Sequence, residues 1–158
     1  LADIYSKNIN PEDQIRQIKV LEFILSFDPK NVTALSYLVK NLASNERGGD
    51  ATIVYRRLKN AFEYFKGRRN FGPYHHNVGL VASSVGDYEY AKYIYEDAIE
   101  RFPTAENYHK MAILEYDLLK NHKKGIGFAR RALEIDPDMP GNKGLKALIE
   151  KYESSAQQ

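Results

Sequence analysis

The sequence predicts an all-α fold in which antiparallel helix pairs stack as an α-solenoid of about nine helices. Three observations carry this. Apolar residues recur at i, i+3, i+4 and i+7 in one segment after another, and no stretch shows the two-residue alternation of a strand. Short breaks rich in Gly, Pro, Asn and Asp separate these segments. The pattern also returns at a fixed interval, since Pro103 and Pro137 lie 34 residues apart and close equivalent segments. A period of this length is the mark of a repeat array, in which each unit buries its apolar face against its neighbours.

The elements follow in order. Leu1, Ile4 and Tyr5 stand at helical spacing, so Leu1–Lys7 reads as the tail of a helix and the chain as part of a larger protein. Pro11 suits the first turn of the next helix, and Glu12 and Asp13 sit where the helix dipole favours negative charge. Ile15, Ile18, Leu21 and Leu25, with Val20 and Ile24 on the flank, form its stripe, and Pro29 ends it. Leu35, Leu38, Val39 and Leu42 predict a helix over 32–43. The Ser44–Asp50 stretch, with paired glycines, reads as a turn before a helix over 51–66 that turns Val54, Leu58, Ala61, Phe62 and Phe65 inward. A longer basic connection, Gly67–Gly72, leads to helices over 74–84 and 88–102 joined at Val85–Asp87. Helices over 106–119 and 124–135 repeat that arrangement. Leu145, Leu148, Ile149 and Tyr152 mark a terminal helix from about Gly141, and Ser154–Gln158 reads as a frayed tail.

The 34-residue offset links Ala91 to Gly125, Ile94 to Phe128, Ala98 to Ala132 and Glu100 to Glu134. Small residues at these places let two antiparallel helices approach closely, while Ile94, Tyr95, Phe128 and Leu133 fill the gaps between them. The stretch from Gly79 to Pro103 shows the pattern best. His75-x2-Val78-Gly79-x2-Ala82, then Ala91-x3-Tyr95, then Ala98 and Pro103 resemble the tetratricopeptide repeat. His75 and Ala82 depart from it, since they replace aromatics. Tyr108, Met111 and Ala112 match the next unit but arrive one residue early against the strict offset. The resemblance implies a right-handed superhelix forming a single domain over 1–158. It comprises a clipped repeat (1–29), repeats over 30–71, 72–105 and 106–139, and a capping helix with its tail (140–158).

Composition and motifs bound the function. The formal net charge of +2 is too small to imply a polyanionic partner from bulk charge alone, and no nucleic acid is expected. No cysteine occurs, which excludes disulfides, thiolate metal sites and a cysteine nucleophile. No apolar run approaches the ~18 residues of a membrane span, so no membrane insertion is expected within this segment. Cytoplasmic and periplasmic settings both fit. No nucleophile elbow appears, and the carboxylates alternate with lysines on wet helix faces, so no catalytic residue is assigned. Gly125-Ile126-Gly127 lacks the strand and the Gly-Lys-Ser/Thr of a phosphate loop, and no cofactor is expected. His75 and His109 lie 34 apart, at equivalent places by the strict offset. They lack a third ligand, so packing is the expected role and no metal is assigned. Basic clusters at Arg56-Arg57-Lys59, Lys66–Arg69, Lys123-Lys124 and Arg130-Arg131 read as solvated faces balanced by acids, with a patch for an acidic protein, lipid headgroups or RNA as the alternative.

The resemblance implies a non-catalytic scaffold whose first helices line a concave groove for a partner peptide or helix. Thr33, Ser36, Tyr37 and Lys40 are the expected groove residues of the earliest full repeat. His76, Asn77, Leu80 and Ser83 continue the set, followed by Lys110, Leu114 and Asp117. Asn77 and Lys110 fall near places that some relatives use to grip a C-terminal carboxylate, but Thr33, Ser36 and Tyr37 do not complete such a clamp. Self-association by end-to-end stacking, or service as a regulatory domain of an enzyme or membrane machine, are the alternatives.

Overall fold

A computed structural model describes residues 10–45, 47–68 and 72–156. Within them the chain forms eight α-helices. These are α1 (Pro11–Phe27), α2 (Val32–Ser44), α3 (Gly48–Phe65), α4 (Gly72–Ser84), α5 (Tyr88–Arg101), α6 (Ala105–Ile113), α7 (His122–Ile135) and α8 (Asn142–Ala156). A π-helical turn, Leu114–Leu118, extends α6. The helix predicted over Leu1–Lys7 lies outside the described residues, as do 69–71 of the basic connection.

Polar caps set several starts. The side chains of Asn10, Asn31, Asp87 and Thr104 accept hydrogen bonds from the backbone N–H of Glu12, Ala34, Tyr90 and Asn107, satisfying donors that an α-helix leaves open. The paired glycines are a correction. Gly48 and Gly49 lie in the first turn of α3 rather than in the preceding turn. Arg47 Nε donates to Asp50 Oδ2 at 2.8 Å across that turn, and first-turn N–H groups have no helical partner to lose. The terminal helix is also longer than expected, since Ser154 and Ser155 are helical and their hydroxyls donate to Glu150 and Tyr152 carbonyls.

Two compact units divide the chain, 1–81 and 82–158, with the boundary inside α4. In the first unit α2 packs against both α1 and α3. It buries Val32, Ala34, Leu35, Leu38, Val39 and Leu42, against Ile18 and Leu25 of α1 and Ala51, Val54, Leu58 and Phe62 of α3. His75 is buried, its ring edge-on to Phe62 with centroids 5.1 Å apart, so it packs in the aromatic place. Lys30 Nζ sits 3.5 Å over the Tyr64 ring, tying the α1–α2 loop to the end of α3.

In the second unit α7 packs on α6 and on α8. The core is Ala105, Ala112, Ala129, Ala132, Met139 and Leu145, filled out by Tyr108, Phe128, Leu133 and Leu148. Gly125 meets Tyr116 so closely that a Cβ built there would lie 2.7 Å from Tyr116 Cβ and 2.9 Å from its backbone nitrogen. Gly141, at φ +92, opens the way into α8 and receives the His109 ring.

The early arrival of Tyr108, Met111 and Ala112 has a structural cause. Buried Val78, Val81 and Ala82 are matched by buried Met111, Leu114 and Glu115, an offset of 33. The following helices begin at Tyr88 and His122, an offset of 34. One extra residue must therefore be absorbed between Glu115 and His122. The π-turn absorbs it: Leu119 N–H donates to Leu114 C=O at 2.9 Å, a five-residue closure in place of four. His75 consequently corresponds to Tyr108 and not to His109, which corrects the equivalence drawn from the strict offset.

Candidate partner-binding faces

On α2 the open side carries Thr33, Tyr37 and Lys40, at i, i+4 and i+7. Tyr37 is exposed and the other two are half-buried. The Lys40 ammonium lies 5.7 Å from the Tyr37 ring centroid, and burial lowers its pKa from the usual lysine value. Ser36 is a correction. It is 2% exposed and its hydroxyl donates to the Val32 carbonyl at 2.8 Å, so it faces the packed side. His76, Asn77 and Leu80 are half-buried on α4 within the first unit.

In the second unit Ser83 is half-buried and hydrogen-bonded to the phenol of Tyr95, whose own burial pushes its pKa up. Lys110 is half-buried and Asp117 exposed. Leu114 is the second correction. It is 1% exposed because the true offset makes it the counterpart of buried Val81, not of Leu80. The counterpart of Leu80 is half-buried Ile113, which the strict 34-residue period misses and the early Tyr108-x2-Met111-Ala112 motif could have found.

Glu115 takes the place of the small residue Ala82 and is 2% exposed. Its Oε1 lies 3.3 Å from Lys92 Nζ. Hydrogen bonding to Glu115 and its charge raise the Lys92 pKa against the opposing effect of burial. This is a packing solution: the carboxylate fills a slot between α5 and the π-turn and is neutralised there. Several of the basic residues also have partners. Lys66 pairs with Glu63, Arg130 with Glu153 and Arg131 with Glu134, while Arg68 lies over the Tyr64 and Phe65 rings. Among the described residues, no three His, Asp or Glu side chains gather as metal ligands, and no helix is long and apolar enough to cross a membrane.

No family model matches the chain, and no curated protein matches it by sequence. Solved structures do. A thermophilic TPR protein from Thermus thermophilus superposes with a TM-score of 0.62 at 18% identity, over 89% of this chain and 72% of its own. This chain has a tetratricopeptide-repeat fold. MamA residues 41-end from Desulfovibrio magneticus RS-1 gives 0.57 at 18% identity, over 89% and 78%. A second MamA structure gives 0.57 at 20% identity, over 96% and 99%.

Proposed function

We propose that the chain is a non-catalytic scaffold that takes a partner peptide or helix on the open sides of its first helices. The observation that carries this reading is one repeat position. Tyr37, Asn77 and Lys110 are equivalent by an offset of 40, which relates buried Leu35, Leu38 and Leu42 to buried His75, Val78 and Ala82, and by the offset of 33. Each keeps a polar side chain at least partly accessible, while the positions just after it, Leu38, Val78 and Met111, are buried. Side chains at this position carry no core duty and are free to recognise a ligand. Thr33, Lys40, His76 and Leu80 flank it in the first unit, and Ser83 and Asp117 belong to the second. Such a mixture of donors, acceptors and a few apolar contacts suits an extended peptide or an amphipathic helix. Solenoid first helices commonly present surfaces of this kind.

The test uses a triple variant, Tyr37→Ala with Asn77→Ala and Lys110→Ala. None of the three is buried, so the variant is expected to keep the wild-type helical spectrum. Affinity purification of the wild-type chain identifies a partner, and titration of that partner against the variant should show at least a tenfold loss, about 1.4 kcal/mol. Unchanged affinity in a folded variant moves recognition to another surface and refutes the reading.

A further inference from the structure

The basic clusters are not all balanced by acids. Lys66, Arg130 and Arg131 pair with carboxylates. Lys30, Arg57 and Arg68 do not, and they gather at one place in the first unit. Arg57 Nη2 donates to the Pro29 carbonyl at 3.5 Å. Lys30, the next residue, lies over the Tyr64 ring, and Arg68 Nη2 donates to the Tyr64 hydroxyl at 3.4 Å. Positions 57, 64 and 68 stand at i, i+7 and i+11, on one face of α3. All three cations are exposed, and among the described residues they form no ion pair. Residues 1–9 carry one carboxylate, Asp3, against Lys7, so they bring no net charge to offset the cluster.

Arg57 also lines a cavity of about 360 Å³. Helices α1 and α3 both pack on α2 and leave a groove between them, lined by Leu25 of α1, Leu38 and Leu42 of α2, and Ile53 and Val54 of α3. Four of these are buried and Ile53 is 60% exposed at the rim. The volume is at the small end of ligand pockets, about 300–1,000 Å³, and suits a large apolar side chain. Towards the start of α3 the lining adds Glu22 and Arg47, the latter already paired with Asp50, so charge there does not favour an anion. The free positive charge lies only at the Arg57 end.

We propose that this groove docks an acidic peptide of a partner protein, with one large apolar side chain in the cavity and aspartates or glutamates on Arg57, Lys30 and Arg68. From Val54 to Tyr64 is about 15 Å along α3, which an extended peptide covers in about five residues. The acids therefore fall within about two to five residues of the apolar anchor. Nucleic acid fits less well, because a base needs an open aromatic face and Lys30 already lies over the Tyr64 ring. An anionic membrane would meet the cations but leave the cavity unfilled. Leu38 and Leu42 lie about 150° around α2 from Thr33, Tyr37 and Lys40, so this groove is independent of the first-helix face proposed above.

Fluorescence anisotropy on the intact chain tests this with two end-blocked peptides, Leu-Gly-Glu-Gly-Glu-Glu and its reverse, since either direction along α3 fits. At least one should bind, more weakly as salt rises. Versions with Ser for Leu, or Lys for Glu, should not bind. Arg57→Glu and Ile53→Asp should each weaken binding about tenfold or more, with an unchanged helical spectrum because both side chains are exposed. Lys30→Gln serves if Arg57→Glu fails to fold. Lys143→Glu, on exposed α8 surface, alters net charge as much as Arg57→Glu does and should leave the affinity as it is. Failure of both peptides to bind overturns the proposal. So does binding that Arg57→Glu and Lys30→Gln leave intact, or that Lys143→Glu weakens equally. If oligouridine RNA or phosphatidylserine vesicles bind through Arg57 while the peptides do not, the cluster is a phosphate surface and the proposal falls. Strong destabilisation by Ile53→Asp also overturns it, by showing the cavity covered from within the same chain.

Discussion

Two glycines two residues apart on α7 should respond to the same substitution with opposite signs. Gly127 is exposed and a Cβ there meets nothing within 4 Å. Gly127→Ala removes backbone freedom from the unfolded chain and improves helix propensity, and should stabilise by about 0.5–1 kcal/mol. Gly125→Ala has the same local advantage but a prohibitive neighbour. Its Cβ would lie 2.7 Å from Tyr116 Cβ, 2.9 Å from Tyr116 N and 3.0 Å from Tyr116 Cα. Two of these atoms are backbone, so no rotamer change relieves the overlap. To reach ordinary carbon contact near 3.5 Å, the π-turn and α7 must separate by about 0.8 Å. That separation would loosen the alanine-rich seam of Ala112, Ala129 and Ala132. Overpacking of this kind costs about 1–3 kcal/mol, which exceeds the propensity gain and leaves a net loss of about 1–2 kcal/mol. The two variants should therefore differ by roughly 3–12 °C in Tm for a chain of this length, followed by circular dichroism at 222 nm. If Gly125→Ala equals or exceeds wild type while Gly127→Ala behaves as stated, the close contact of the π-turn with α7 is wrong.

Three further outcomes follow from the second unit. Lys92→Met leaves the Glu115 carboxylate buried without its cation and should cost about 3–5 kcal/mol in urea unfolding, most of it recovered by adding Glu115→Leu. Lys120 holds φ at 57°, in the left-handed region at the end of the π-turn, so Lys120→Gly should stabilise by about 0.5–1 kcal/mol by the same measurement. Burial, with help from Lys110 and against Glu106, holds the His109 pKa below its ordinary value of 6.5. The unfolded chain then takes up the proton more readily, so His109 contributes stability above pH 6.5 that is lost as pH falls below it. His109→Gln should flatten the dependence of the urea midpoint on pH between about 7 and 5, and an unaltered slope would remove His109 as its source.

The helix pairs are legible in the sequence because packing residues obey a period. Ala98 and Ala132 are both fully buried, as their 34-residue offset requires, and the prolines that follow end their helices. Legibility fails where one residue is added inside a helix. The hydrophobic pattern before Glu115 and the pattern after His122 are each regular, and only their mutual offset reveals the π-turn between them. The strict period therefore selects Leu114 in place of Ile113 and pairs His75 with His109. Ser36 fails for a different reason. Its type suits a surface, but its hydroxyl satisfies itself on the Val32 carbonyl and so tolerates burial.

The same physics explains why the candidate faces are the least legible part of the chain. A buried position restricts its side chain to a few sizes, whereas the position shared by Tyr37, Asn77 and Lys110 holds an aromatic, an amide and an ammonium without disturbing the helices beneath. Variation there costs the fold little, so neither period nor composition constrains it. The exposed stripe of α1 lies between these extremes. In sequence Val20 and Ile24 read as the flank of one broad packing stripe, and only the observed burial of Ile18 and Leu25 splits that stripe into two faces. The exposed aromatic pair Phe23 and Phe27 is then left on the second of them.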